Sequence, residues 1–146
     1  MDDKKPKNLV SAAEQTKIAR TVLEWLNTYD GKPQKIDFEF LGKTKGLTVS
    51  TIQAAYKVKQ YINGGYMAQY QFQIVYRLIA SNADERLAAD ELLNAFGDWA
   101  ERTPPDLPAG IIRWRTRRDN AASTMARYDN NAEDHAIQLT ISYEVI

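Results

Sequence analysis

The 146 residues carry 19 Lys and Arg against 19 Asp and Glu, so no net charge draws the chain to nucleic acid or to a membrane surface. With no cysteine and a single histidine, a disulfide framework, a thiolate metal site and a His-based metal cluster are all excluded. No run approaches the ~20 apolar residues that a membrane helix needs, and the length suits one core.

In chain order, residues 1–8 are charged and lack the apolar stretch of a signal peptide, so they read as a disordered N-terminal segment. Residues 9–146 then form a single α+β domain, and the protein is expected to be made and to fold in the cytosol. Ser11 and Glu14 fit a capping box that opens a helix running to about Tyr29. Ile18, Ala19, Val22, Leu23, Trp25 and Leu26 form its apolar stripe, and Asp30-Gly31 and Pro33 stop it. Residues 35–41 alternate, with Ile36, Phe38 and Phe40 on one side, and predict a strand. Gly42 to Gly46 is a turn, and Leu47 to Ile52 is a second, weaker strand candidate.

A long hairpin comes next, and the chain is organised around it. Ala55 to Ile62 and Tyr66 to Ala80 flank Asn63-Gly64-Gly65, residue types that tolerate the positive φ of a tight hairpin. From Tyr66 onward Ala68, Tyr70, Phe72, Ile74, Tyr76 and Leu78 share one face with Tyr66, while Gln69, Gln71, Gln73 and Arg77 share the other. Arms of about thirteen residues exceed the usual ~5–6 and are long enough to reach past the body of the domain.

Asn82 to Glu85 is a second capping box, and its helix runs to about Arg102 with a stripe of Leu92, Leu93, Phe96, Trp99 and Ala100. A loop with three prolines leads to a strand at Ile111–Arg117, whose Arg113, Arg115 and Arg117 oppose Ile112, Trp114 and Thr116. Residues 118–134 show no steady period and read as a long loop. The last strand, Ala136 to Ile146, turns Ile137, Leu139, Ile141, Tyr143 and Val145 inward. The expected order is α-β-β-β-β-α-β-β. It predicts an α+β fold with a mainly antiparallel sheet, two helices on one face, and the other face solvated or against a partner.

The residues that could carry chemistry are few. His135 follows Glu133-Asp134, but with no indicated nucleophile it reads as an exposed edge histidine. Gly42 to Gly46 lacks phosphate-loop spacing. No pair or metal spacing of carboxylates is recognisable, so no catalytic, cofactor or metal residues are assigned and no enzyme is expected. The densest charge cluster is Arg113, Arg115, Arg117 and Arg118 around Trp114. Between Asp84 and Asp106 stand seven acidic residues and two basic ones. Asp84, Glu85, Asp90 and Glu91 on the second helix are therefore candidates to meet the arginines of a neighbouring subunit. A solvated strand face and a nucleic-acid surface are the other readings of the arginines.

Two stretches carry a family resemblance. Gly46 to Arg77 (G-L-T-V-S-T-I-Q-A-A-Y-K-V-K-Q-Y-I-N-G-G-Y-M-A-Q-Y-Q-F-Q-I-V-Y-R) and Ala83 to Trp99 (A-D-E-R-L-A-A-D-E-L-L-N-A-F-G-D-W) resemble the minor capsid or tail-terminator proteins of long-tailed phages and prophages of Gram-positive bacteria. The match rests on the strand into V-K-x-Y-I-x-G, the arm ending I-V-Y-R and the E-R-x-x-A-x-x-L-L-N helix. It is weakest at Trp114 and residues 118–134. The resemblance implies a structural virion protein without a reaction or cofactor. Such a protein assembles in the host cytoplasm into a ring, commonly a hexamer, that caps the tail tube and joins it to the head connector at the head–tail junction. The implied partners are further copies of itself, the tube protein and the connector protein, with DNA only in transit and no membrane. Asn63, Gly64, Gly65 and Tyr66 are then candidate contacts to tube or connector. A head-completion or connector component is the nearer alternative, and a small α+β ligand-binding or enzyme domain the more distant one.

Overall fold

The computed structural model describes residues 8–146, so the expectation for residues 1–7 lies outside the described residues. The elements are α1 (Ala12–Leu26), β1 (Asp37–Phe38), β2 (Gly46–Gln60), β3 (Tyr66–Leu78), α2 (Ala83–Arg102), β4 (Ile111–Arg118), β5 (Ser123–Arg127) and β6 (Glu133–Val145). The fold is α+β, with six strands in one mainly antiparallel sheet ordered β1-β2-β3-β6-β4, and β5 also paired to β6.

Alternation in β3 and β6 sets the sheet's two faces. β3 lies between β2 and β6, and pairs with β6 over its whole length, from Tyr66 opposite Val145 to Leu78 opposite Glu133. One face gathers Ala68, Tyr70, Phe72, Ile74, Ile137, Leu139, Ile141 and Tyr143, all buried in one cluster with Ile18, Val22, Trp25, Leu26, Leu93 and Phe96 of the helices. Both helices therefore pack on this face. They also touch each other through Trp25 stacked on Trp99, ring centroids 5.6 Å apart, and Tyr29, just beyond α1, packs on Phe96 at 4.5 Å.

The helices start where their caps place them. Ser11 Oγ accepts from Glu14 N at 3.2 Å, and Asn82 Oδ1 accepts from Glu85 N at 3.0 Å. The reciprocal arms differ from a capping box. Glu85 reaches Ser81 N at 2.5 Å, whereas Glu14 turns inward to the sheet.

Several boundaries depart from the sequence pattern, each for a local reason. The two strand candidates at 47–52 and 55–62 are one continuous β2. Three register shifts interrupt its pairing with β3, and each resets the alternation that a pattern search relies on. The strand expected over 35–41 shrinks to Asp37–Phe38, paired parallel to β2, because Glu39 takes φ 52° and breaks the extended run. Phe40 is 65% exposed in consequence. The loop expected over 118–134 contains β5, whose residues are mostly exposed and so show no apolar period. Asn8, placed in the disordered segment, accepts from Lys57 N at 2.6 Å and begins a short run along the β2 edge.

The hairpin does not reach past the body of the domain. β6 covers β3 to its first residue, and Gly65 sits so close to Val145 O that a Cβ there would come within 2.6 Å of it. Only the turn at 61–65 extends beyond the ladder, closed by Tyr61 N to Gly65 O at 2.8 Å, with Gly64 at φ +91°.

This facing makes a direct test. Phe72→Ala, at a fully buried site, should cost about 3–5 kcal/mol in urea unfolding. Phe40→Ala should change stability by no more than about 0.5 kcal/mol. Equal losses for the two would contradict the assigned burial.

Candidate interaction surface

The face away from the helices is polar. Gln69 Nε2 donates to Ser142 Oγ at 3.3 Å, and Tyr56 Oη donates to Gln69 Oε1 at 3.2 Å. One end of this face is closed. Arg77 holds Asp134 in a two-pronged pair at 2.7 and 2.9 Å, donates to Gly42 O at 3.0 Å, and lies 4.7 Å from the centre of the Tyr128 ring. Asn130 Nδ2 donates to Lys43 O at 3.0 Å, so two loops meet across that end. The other end, towards Met67, Glu144 and β4, is left uncovered by them.

β4 carries the arginine cluster along this open part. Its register places Arg113, Arg115 and Arg117 opposite Glu144, Ser142 and Thr140 on the polar face. Trp114 and Thr116 point to the helix side, where Trp114 meets Trp25 edge-on at 5.9 Å. Ile112 sits in a bulge and is exposed, while Ile111 is buried in its place. Arg118 also lies on the helix side. It crosses α2 at Gly97, where a Cβ would collide with its side chain, and reaches Asp98 at 2.7 Å and Glu101 at 3.0 Å.

The eight candidates for a charged subunit contact are thus unequal. Arg118 is engaged inside the subunit, Asp90 is hydrogen-bonded to buried His135, and Glu85 caps the chain before α2. Arg113 lies 3.6 Å from Glu144, and Arg117 3.4 Å from Asp119, exposed pairs of about 0–1 kcal/mol each. Among the described residues Arg115, Asp84 and Glu91 have no side-chain partner. At the hairpin turn Asn63 and Gly64 are exposed, but Tyr66 turns inward. Its hydroxyl donates to Glu14, whose other oxygen accepts from Tyr143 Oη at 2.6 Å. Burial first, and then the Glu14 carboxylate, push both phenols well above the ordinary tyrosine range. Sequence reasoning passed over Ile62, which stands fully exposed beside Asn63.

His135 is not an exposed edge residue. β6 begins at Glu133, three residues earlier than expected, and alternation then carries His135 to the helix face with Ile137. It is fully buried, with Nδ1 2.7 Å from Asp90 Oδ1 and Nε2 2.8 Å from Glu133 Oε1. Each ring nitrogen thus meets a carboxylate oxygen, one on α2 and one on β6. Arg86 Nε adds two bonds to Glu133 at 3.1 Å each. Burial pushes the Glu133 carboxyl up, but the hydrogen bonds from His135 and Arg86 outweigh it and hold the group below the usual carboxylate range. The network fastens α2 to β6 and has no access to solvent through the ring.

Among the described residues no group of three or more His, Asp or Glu is placed to hold a metal, and no helix is long and apolar enough to cross a membrane. A groove of about 850 Å³ runs beside β4, lined by Pro104, Pro105, Leu107 and Ile112 together with the three arginines of the polar face. No protein-family model matches the chain, and no curated protein matches it.

The depressed Glu133 carboxyl fixes the sign of a pH effect. Its stabilising contribution is fully present above the ordinary carboxylate range and is lost as pH falls through the lower folded value. In urea titrations from neutral to acid pH, Glu133→Gln should be less stable at neutral pH and should lose less stability on acidification than the parent. Identical acid slopes would show that Glu133 is not held low.

Proposed function

We propose that this chain is a tail terminator of a long-tailed phage or prophage, a structural protein whose copies close into a ring on the end of the tail tube. The observation that carries the reading is a division of labour in the resembling stretches. Gly46 to Arg77 is the central hairpin, and Ala83 to Trp99 is the helix that closes one face of it. The same arrangement leaves the hairpin turn and the arginine strand facing outward. That is what a capping subunit requires, since it must hold its neighbours, the tube and the connector at once. Rings come from heterologous contacts that close, so the joining surfaces differ from one another. The solvent-facing acids of α2, Asp84 and Glu91, and the turn with Ile62 lie on different elements and are free for such contacts.

The test is negative-stain microscopy of the protein mixed with tail tubes of the same phage, with tube growth followed in parallel. Rings seated on one tube end, and tubes of bounded length, are expected. Bare ends with unaffected growth would overturn the terminator role. Rings seated on head connectors alone would assign the protein to head completion instead.

A further inference from the structure

The two edges of the sheet are treated differently. On the β2 edge, β1 covers Thr48 and Val49, Glu39 Oε2 accepts from Thr51 N at 3.3 Å, and the Gln15 side chain holds both Ala55 N and Ala55 O at 2.9 and 2.6 Å. Val10 N donates to Ala55 O at 3.2 Å, and Lys57 N to Asn8 O at 2.6 Å. Together with three register shifts, these contacts block strand addition there.

The β4 edge has much less cover. Asp119 N donates to Gln138 O at 2.8 Å, with Gln138 N taken by Asn120 Oδ1, so the main chain at Asp119 points to β6, at a position of the hydrogen-bonded kind. Such pairs alternate along an antiparallel ladder. With the observed register, Arg113, Arg115 and Arg117 direct their main-chain groups to β6, and Trp114 and Thr116 direct theirs away from the sheet. Arg118 N, next in the outward series, is taken by Glu101 Oε2 at 2.9 Å. The N–H and C=O of Trp114 and Thr116 have no main-chain partner outside the sheet among the described residues. Trp114 borders the groove lined by Pro104, Pro105 and Leu107, while Thr116 beyond it is 9% exposed.

We propose that the β4 edge accepts an extended acidic segment of a different protein as an added strand, with main-chain bonds to Trp114 and Thr116 and alternate acidic side chains beside Arg113, Arg115 and Arg117. Side chains directly opposite on neighbouring strands lie about 5 Å apart, so acids at every second position meet the three arginines in turn. Arg113 and Arg117 are exposed and each meets its present partner, Glu144 or Asp119, through a single contact, at 3.6 and 3.4 Å respectively, so the arginines exchange readily. A second copy of the chain does not fit as donor. Joining β4 to β4 would set the arginine rows against each other, the β2 edge is blocked and carries Lys57 and Lys59, and the acidic face of α2 has no main chain to offer. The inference goes beyond the ring reading, and its test on the free chain does not depend on ring formation.

The probe is a short capped peptide of alternating glutamate and valine, added to the full chain in dilute salt. Calorimetry reads binding, and amide hydrogen exchange reads the strand. Binding should slow exchange at Trp114 and Thr116 by at least about 10-fold. A lysine–valine peptide should not bind. The glutamate–valine peptide N-methylated on its pairing amides keeps its charge but loses the ladder, and should bind about 10-fold or more weakly. Arg115→Glu should abolish binding while leaving the urea midpoint unchanged, as expected for an exposed residue. No binding, equal binding of the methylated peptide, or binding without protection of those two amides would each overturn the proposal. Displacement of the peptide by oligothymidylate without any protection of β4 would make the arginines a general polyanion surface, and would overturn it as well.

Discussion

The β3–β6 ladder is the constraint on which the rest of the molecule depends. It runs antiparallel and in register from Tyr66 opposite Val145 to Leu78 opposite Glu133. A slip of one residue by either strand would send its apolar set, Phe72 and Ile74 in β3 or Leu139 and Ile141 in β6, to the polar face and bring Gln71 and Gln73, or Thr140, against the helices. The apolar alternation of both strands therefore fixes one register. That register aligns the features at its two ends. At one end Tyr143 and Tyr66 are brought to the Glu14 carboxylate, and so the start of α1 is tied to the hairpin. At the other, Arg77 faces Asp134 on the polar side, and Glu133 and His135 face α2 on the apolar side.

A sheet fixed in this way needs only one face covered to be stable. The helices supply that cover, and the hydrogen-bond network of buried His135 with Asp90 and Glu133 holds α2 in place. The polar face is then available for other work. It is closed by loops at the Arg77 end and left open at the β4 end, with arginines where the main chain of the edge is unpaired. In an isolated monomer such an edge is a liability that charged side chains limit. In a component of an assembly the same charges select the partner.

Much of this was legible in the sequence. The strict alternation of Tyr66 to Leu78 located the central strand and its faces, the Ser11 and Asn82 caps located both helices, and Asn63-Gly64-Gly65 located the turn. The failures share a cause, because periodicity reports burial and not backbone shape. β5 is exposed on both sides and left no period. Phe38 and Phe40 alternate with Asp37 and Glu39, yet the positive φ of Glu39 ends the strand and leaves Phe40 in water. The candidate surface was read less well for a related reason. Arg118 resembles its neighbours in sequence, but alternation turns it to α2, where the absence of a side chain at Gly97 lets it pass. His135 was misjudged because its two carboxylate partners, Glu133 two residues before it and Asp90 on α2, form a site only once α2 packs on β6. The edge of β4 could not be read at all, since outward main-chain groups depend on register and not on residue type.

The most direct measurement is amide hydrogen exchange of the protein mixed with the tail tubes that the proposed terminator role assigns to it, compared with the free chain. If the helix side is scaffold and the open side makes the contacts, protection will concentrate in β4 and the turn at 61–65, with α1 and α2 unchanged. Protection confined to the outer surfaces of α1 and α2, with β4 exchanging as in the free protein, would contradict that division.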